Sequence, residues 1–142
     1  PGREREYFND PEATASTWRD GWLHSGDLAY LDEDGLLYIV GRQKDVIIRG
    51  GNNVHATDIE SVLYEHPAVQ EAAAAGIAHK VLGEDIGAWV VLAPGATATP
   101  EELRAFCAER LSDYKVPRRF TFLDELPRNA TGKVVKGDLP GR

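Results

Sequence analysis

The sequence predicts an α+β fold, and three features carry that expectation. An Asp-Gly turn separates two apolar runs, two segments carry the capping pattern of a helix start, and one unbroken apolar run reads as a buried strand. Taken in order, Asn9-Asp10-Pro11 is a turn signal and the Ala/Thr/Ser stretch ending at Trp18 predicts a short helix. Leu28-Ala29-Tyr30-Leu31 and Leu36-Leu37-Tyr38-Ile39-Val40 flank Asp32-Glu33-Asp34-Gly35, the pattern of a β-hairpin closed by Gly41. Val46-Ile47-Ile48 is a third β-branched run, stopped at Gly50-Gly51. Thr57-Asp58-Ile59-Glu60 has the capping-box form, with Ile59, Val62 and Leu63 at helical spacing, so a helix is expected from Thr57 to about His66-Pro67.

Residues 69–79 read two ways: the four consecutive alanines favour helix, whereas Val69, Gly76 and Ile77 allow a strand. Ala88 to Ala93 predicts an apolar strand turned by Pro94-Gly95. A second capped helix starts with Thr99, Pro100 and Glu102, and Leu103, Phe106, Cys107 and Leu111 share its apolar face. Cys107 is therefore expected in the core. Phe120 to Leu123 reads as a last strand, and the tail from Pro127 as a basic loop.

The 142 residues make one ordinary domain, long enough for a core and short for a complete two-substrate enzyme. The chain contains no Met, which fits a segment processed or cut from something longer. Lys+Arg 16 against Asp+Glu 23 gives a net charge of −7, the wrong sign for a nucleic-acid or anionic-membrane surface. No apolar run approaches the roughly 20 residues of a membrane span. A single cysteine excludes an internal disulfide and fits a reducing, cytoplasmic setting.

Generic motif searches exclude more than they find. No two of the 14 glycines are separated by one residue, so the G-x-G-x-x-G fingerprint is absent. Gly132-Lys133 is not a P-loop, because Pro127 stands where its first glycine belongs and Val134 where its Ser/Thr belongs. His24, His55, His66 and His79 are too scattered for a local metal cluster, and no residues are assigned to a metal.

Three segments remain: Gly21-Trp22-Leu23-His24-Ser25-Gly26-Asp27-Leu28, then Gly41-Arg42-Gln43-Lys44-Asp45-Val46-Ile47-Ile48-Arg49-Gly50-Gly51-Asn52-Asn53-Val54, and Pro127-Arg128-Asn129-Ala130-Thr131-Gly132-Lys133. In this order and spacing they resemble the C-terminal motifs of the adenylate-forming ligase superfamily, which includes acyl-CoA synthetases, peptide-synthetase adenylation domains and luciferases. Tyr7 to Thr14 also resembles that family's approach to the first motif, so the likeness covers nearly the whole chain.

Asp27 read alone is either a turn residue capping its own backbone or a carboxylate able to take two hydroxyl hydrogen bonds. The resemblance implies the second, a contact to the ATP ribose, with Ser25 standing where the family more often has Thr. Arg42 read alone is a solvated strand end or a partner of Asp45, and the resemblance implies a ribose contact. Ile39 is either core or an adenine neighbour.

The resemblance further implies that Lys44 is the hinge between a large N-terminal and a small C-terminal domain. It implies that Gly50 and Gly51 border a tunnel for the CoA pantetheine, where a plain turn is the simpler account. Lys133 is a solvated tail residue by itself. By resemblance it is the catalytic lysine of adenylation, carried on a flexible loop with Arg128 and Lys136 adding positive charge. Acetylation there would silence it.

Residues 1–43 are thus expected to be the end of the large adenylation domain, and 44–142 a mobile lid with a small mixed sheet flanked by helices, in which 69–79 is a strand. The implied parent enzyme is an acid–thiol ligase of fatty-acid type that uses ATP with Mg²⁺ and then CoA. Its implied partners are its own N-terminal domain, a small carboxylate, and a second copy through unpaired strands between residues 22 and 40. The rival readings are an adenylation domain that loads a carrier protein and a non-catalytic interaction module that retains the lid fold.

Overall fold

The computed structural model describes residues 6–142, so Pro1 to Arg5, the opening of the polar segment, lie outside the described residues. The chain divides into two compact units, one ending at Lys44 and the other spanning Asp45–Arg142.

The first unit is a short helix and two small β-ribbons. α1, Pro11–Thr17, begins where the Asp10 side chain accepts from the Ala13 N–H at 2.9 Å and Pro11 presets the first helical φ. β1, Trp18–Arg19, and β2, Trp22–Leu23, form a ribbon turned by Asp20 and Gly21, both at positive φ, the Asp-Gly form of a tight hairpin. The sequence pattern did not anticipate β1.

β3, Asp27–Leu31, pairs antiparallel with β4, Leu37–Arg42. The expected turn between them is closed by Asp32, whose Oδ1 accepts from the N–H groups of Asp34 and Leu36 at 3.0 and 2.8 Å. A bulge at Leu28/Ala29 lets β4 run through Gly41, so that Asp27 and Arg42 become direct neighbours across the ribbon. Tyr30 and Tyr38 stack cross-strand with centroids 5.1 Å apart. Leu31, Leu36, Leu37 and Ile39 are exposed, leaving an apolar ribbon of only two strands.

The second unit is a five-stranded sheet in the order β6-β5-β8-β7, with β9 parallel to β8. β5 is Val46–Arg49, β6 Asn52–His55, β7 Val69–His79, β8 Gly83–Leu92 and β9 Arg119–Phe122. β7 pairs along the whole of β8, so residues 69–79 form a strand. Its alanines alternate between two buried faces. Ala72 and Ala74 meet α2 (Ala56–Tyr64) and α3 (Pro100–Ala108), whereas Ala73 and Ala75 join Trp89, Leu126 and Leu139 beneath the C-terminal segment. A strand buried on both faces can take a run of small apolar residues, and the packing overrides alanine's helical preference.

The larger core lies on the helix side around Ile47, Val54, Ile59, Leu63, Ile86, Leu103 and Cys107. Each fully buried aliphatic or aromatic chain there contributes roughly 1.5–3 kcal/mol. On the other face, the Trp89 indole donates to Pro140 O at 3.0 Å and fastens the tail.

The two helix starts differ. At α3 the expected box is complete: Thr99 Oγ1 accepts from the Glu102 N–H, and Glu102 Oε2 accepts from the Thr99 N–H at 2.8 Å. At α2 it does not form, and the helix starts at Ala56 with His55 as a cap that makes no side-chain bond. Glu60 is drawn away by the Ala74 N–H and the Lys136 ammonium, and Asp58 pairs with Lys115. β6 was also unexpected: Gly50-Gly51 does not lead directly to the helix but turns the chain into one more strand.

Candidate functional site

Asp27 and Arg42 form an ion pair at the open end of the β3–β4 ribbon, Arg42 Nε to Asp27 Oδ1 at 2.9 Å. The arginine does not pair with Asp45; its Nη2 lies 3.3 Å from Ser25 O and donates to it. The Asp27 carboxylate is not a backbone cap either, because it is Ser25 Oγ that accepts the Asp27 N–H, at 3.2 Å. Gly26, at φ +73, lets the chain turn beneath the guanidinium. The carboxylate is about a third exposed and the arginine half exposed, so both remain open to a ligand.

Asp27 lines a mostly polar open cleft of about 450 Å³ with Ser16, Arg19, Leu23, His24 and Gln43. Arg19, His24 and Gln43 were missed from sequence, although His24 lies inside the first motif and Gln43 beside Arg42. Ile39 is exposed rather than part of a core. Lys44 sits in a 3-10 turn, Gln43–Asp45, with its side chain exposed.

Gly50 and Gly51 are the two-residue turn between β5 and β6, both at positive φ, +55 and +84. A side chain at Gly50 would meet Leu82 at 3.3 Å, whereas Gly51 faces open space. The base of this turn is firmly set. Arg49, nearly buried, pairs with Asp85 at 2.8 Å and donates to Tyr114 O at 2.9 Å, and the Ile48 N–H donates to Glu84 Oε2 at 2.7 Å.

Lys133 stands on a loop closed by hydrogen bonds. Arg128 and Val134 form an antiparallel bridge, and the Val135 N–H donates to Pro127 O at 2.8 Å. Asn129 Oδ1 fills the interior, accepting from Thr131 N–H and Oγ1 and from the Lys133 N–H at 2.9 Å. Arg128 and Lys136 do not add free charge as expected: Arg128 is paired with Glu71 and Lys136 with Glu60. Among the described residues the Lys133 ammonium has no ion-pair or hydrogen-bond partner, and it is exposed. Glu71 belongs to β7, the edge strand opposite the β5–β6 hairpin, so Arg128 ties the Lys133 loop to the strand at the other edge of the sheet from the Gly50–Gly51 turn.

Two histidines and the cysteine serve the fold. His66 Nδ1 accepts from the Ala68 N–H, and His79 Nδ1 accepts from the N–H groups of Val81 and Leu82. Cys107 is fully buried, and burial pushes its thiol up to about 11. Among the described residues no three His, Cys, Asp or Glu side chains gather as metal ligands, and no helix is long and apolar enough to cross a membrane.

The family described as "AMP-binding enzyme C-terminal domain" matches residues 58–133. The chain is 49% identical over 133 residues to a long-chain-fatty-acid–CoA ligase of Bacillus subtilis (strain 168), covering 94% of this chain and 24% of that protein. It is 48% identical over 139 residues to a 2-succinylbenzoate–CoA ligase of Geobacillus kaustophilus, covering 98% and 28%. Among solved structures, o-succinylbenzoate CoA synthetase of Bacillus subtilis with the acyl-adenylate OSB-AMP superposes with a TM-score of 0.87 at 43% identity, over 96% of this chain and 28% of that one. The chain thus spans about a quarter of the length of the ligases it matches. It belongs to the family of AMP-binding enzyme C-terminal domains, the small α+β lid domains of adenylate-forming enzymes.

Proposed function

We propose that this chain is the C-terminal portion of an ATP-dependent acid–thiol ligase, with residues 1–43 ending its large domain and 44–142 forming the lid that turns about Lys44. The carrying observation is the Lys133 ammonium, the one cation of its loop without a counter-charge among the described residues. In the first half-reaction a substrate carboxylate oxygen attacks the α-phosphorus of ATP, an O–P bond forms, and the bond to pyrophosphate breaks. An unpaired ammonium carried on an anchored backbone suits the negative charge that builds on the α-phosphate and carboxylate oxygens. Asp27 holds the ribose hydroxyls, and Arg42 orients Asp27 and adds its own ribose contact. In the second half-reaction the CoA sulfur attacks the acyl carbonyl, AMP leaves, and the thiol proton passes to solvent.

Gly50 and Gly51 offer a side-chain-free wall for the pantetheine. Their place on the sheet edge opposite the Lys133 loop supports a lid that presents one edge per half-reaction. Magnesium enters with ATP; among the described residues no three His, Cys, Asp or Glu side chains gather to hold it. The apolar β3–β4 ribbon is the seam to the N-terminal portion of the protein; in the chain alone it would meet a second copy. Dependence on ATP and CoA favours a cytoplasmic enzyme.

The acid is a member-specific choice. Relatives of nearly equal similarity are named for long-chain fatty acids and for 2-succinylbenzoate, so a fatty acid is one candidate among several. A second reading, transfer to a carrier protein, is favoured by one relative, a fatty acid–[acyl-carrier-protein] ligase of Streptomyces coeruleorubidus, 43% identical over the whole chain. Acid-dependent exchange of pyrophosphate into ATP by the full-length protein tests the first half-reaction, and its absence across an acid panel contradicts the reading. AMP release that requires holo carrier protein rather than CoA selects the second.

A further inference from the structure

We propose that Glu71 and Glu60 are positioning residues that fix the Lys133 loop through Arg128 and Lys136; the inference rests on the reading of Lys133 given above. One guanidinium makes the first link. Arg128 Nη2 donates to Glu71 Oε2 at 2.5 Å, and its Nη1 donates to Gly132 O at 2.7 Å. That carbonyl and the Lys133 N–H belong to the same peptide unit, and the N–H is held by Asn129 Oδ1. Both polar ends of the peptide that carries Lys133 are therefore anchored, one of them through Arg128 to strand β7.

The second link lies beyond the loop. The Lys136 ammonium is 2.7 Å from Glu60 Oε1, both side chains are 18% exposed, and the same oxygen accepts the Ala74 N–H from the outer edge of β7 at 2.8 Å. Two carboxylates, one on β7 and one bonded to it, thus hold the arms on either side of Lys133. They also neutralise the two neighbouring cations, so the loop presents a single net positive charge. A group held in place before the reaction needs no reorganisation during it, and a displacement of about 1 Å can cost about 100-fold in rate.

The test uses the full-length protein with its activating acid. Glu71→Ala is expected to lower kcat for adenylation by about 10- to 100-fold with KM for ATP unchanged. Thioester formation from supplied acyl-adenylate should stay at the wild-type rate, and amide exchange should accelerate in the 127–139 peptide. Glu71→Gln, which keeps an acceptor for Arg128, should recover most of the rate and guards against a variant that merely folds poorly. Adenylation at the wild-type rate in Glu71→Ala, while Lys133→Ala has lost it, overturns the positioning role alone, as does unchanged exchange in the peptide. Wild-type adenylation by Lys133→Ala instead overturns the reading of Lys133 on which the proposal rests.

Discussion

Asp27 and Arg42 are ion-paired, 2.9 Å apart as direct cross-strand neighbours at the mouth of the β3–β4 ribbon. The bulge at Leu28/Ala29 creates this register, and without it the two side chains would fall out of step along the ribbon. Because the carboxylate arrives already oriented, Asp27→Ala in the full-length protein is expected to weaken ATP by about 10- to 100-fold, the scale of a charge-assisted hydrogen bond. Titration calorimetry measures it, and unchanged affinity would remove Asp27 from the nucleotide site.

At the glycine turn, Gly51 has open space where a side chain would point, but its φ of +84 strains any residue other than glycine. Gly51→Leu should cost about 1 kcal/mol of stability. It should slow thioester formation at least about 10-fold by filling the proposed pantetheine path, a rate factor that corresponds to 1.4 kcal/mol of barrier. Adenylation should be unaffected. Equal slowing of both steps in rapid-quench experiments would mean that the turn serves stability alone.

Cys107 is sealed between α3 and the sheet, and burial pushes its thiol up to about 11. The thiolate is scarce at neutral pH and the sulfur is out of reach, so iodoacetamide should modify it only after denaturant unfolds the domain. Rapid labelling of the native protein would contradict the packing.

Asp32 gives a pH dependence with a definite sign. The Leu36 N–H, and secondarily the Tyr38 hydroxyl and the Asp34 N–H, favour its ionised form, so its carboxyl lies below 3.8 when folded. A lowered folded pKa contributes stability that is present above the unfolded value and lost as pH falls through the folded one. The β3–β4 turn should therefore hold at pH 5 and loosen only in stronger acid. An NMR titration midpoint for Asp32 at or above 3.8 would contradict the turn.

Local chemistry was legible where the signal stayed local. Thr99, Pro100 and Glu102 lie within one helical turn, and their box formed as the sequence implied. Thr57 and Glu60 have the same spacing, but Ala74 and Lys136, distant in sequence, take the Glu60 carboxylate instead. The alanines of β7 were ambiguous because their burial depends on what covers each face, and neither α3 nor the tail can be paired with them from sequence. β6 was hidden by Asn52 and Asn53, weak strand formers held by pairing with Arg49 and Ile48. Motif residues were nameable one by one. The counter-charges on Arg128 and Lys136 were not, because Glu71 lies in a segment that carries no motif and the spacing of Glu60 pointed to a helix cap instead.

The most direct test of the account is a comparison of the two half-reactions in Lys133→Ala, made in the full-length protein and followed in a single turnover. The account predicts a fall of at least about 100-fold in acyl-adenylate formation, the scale of losing a preorganised electrostatic contact, with thioester formation from supplied acyl-adenylate near the wild-type rate. Equal loss in both half-reactions, or loss in neither, would contradict it.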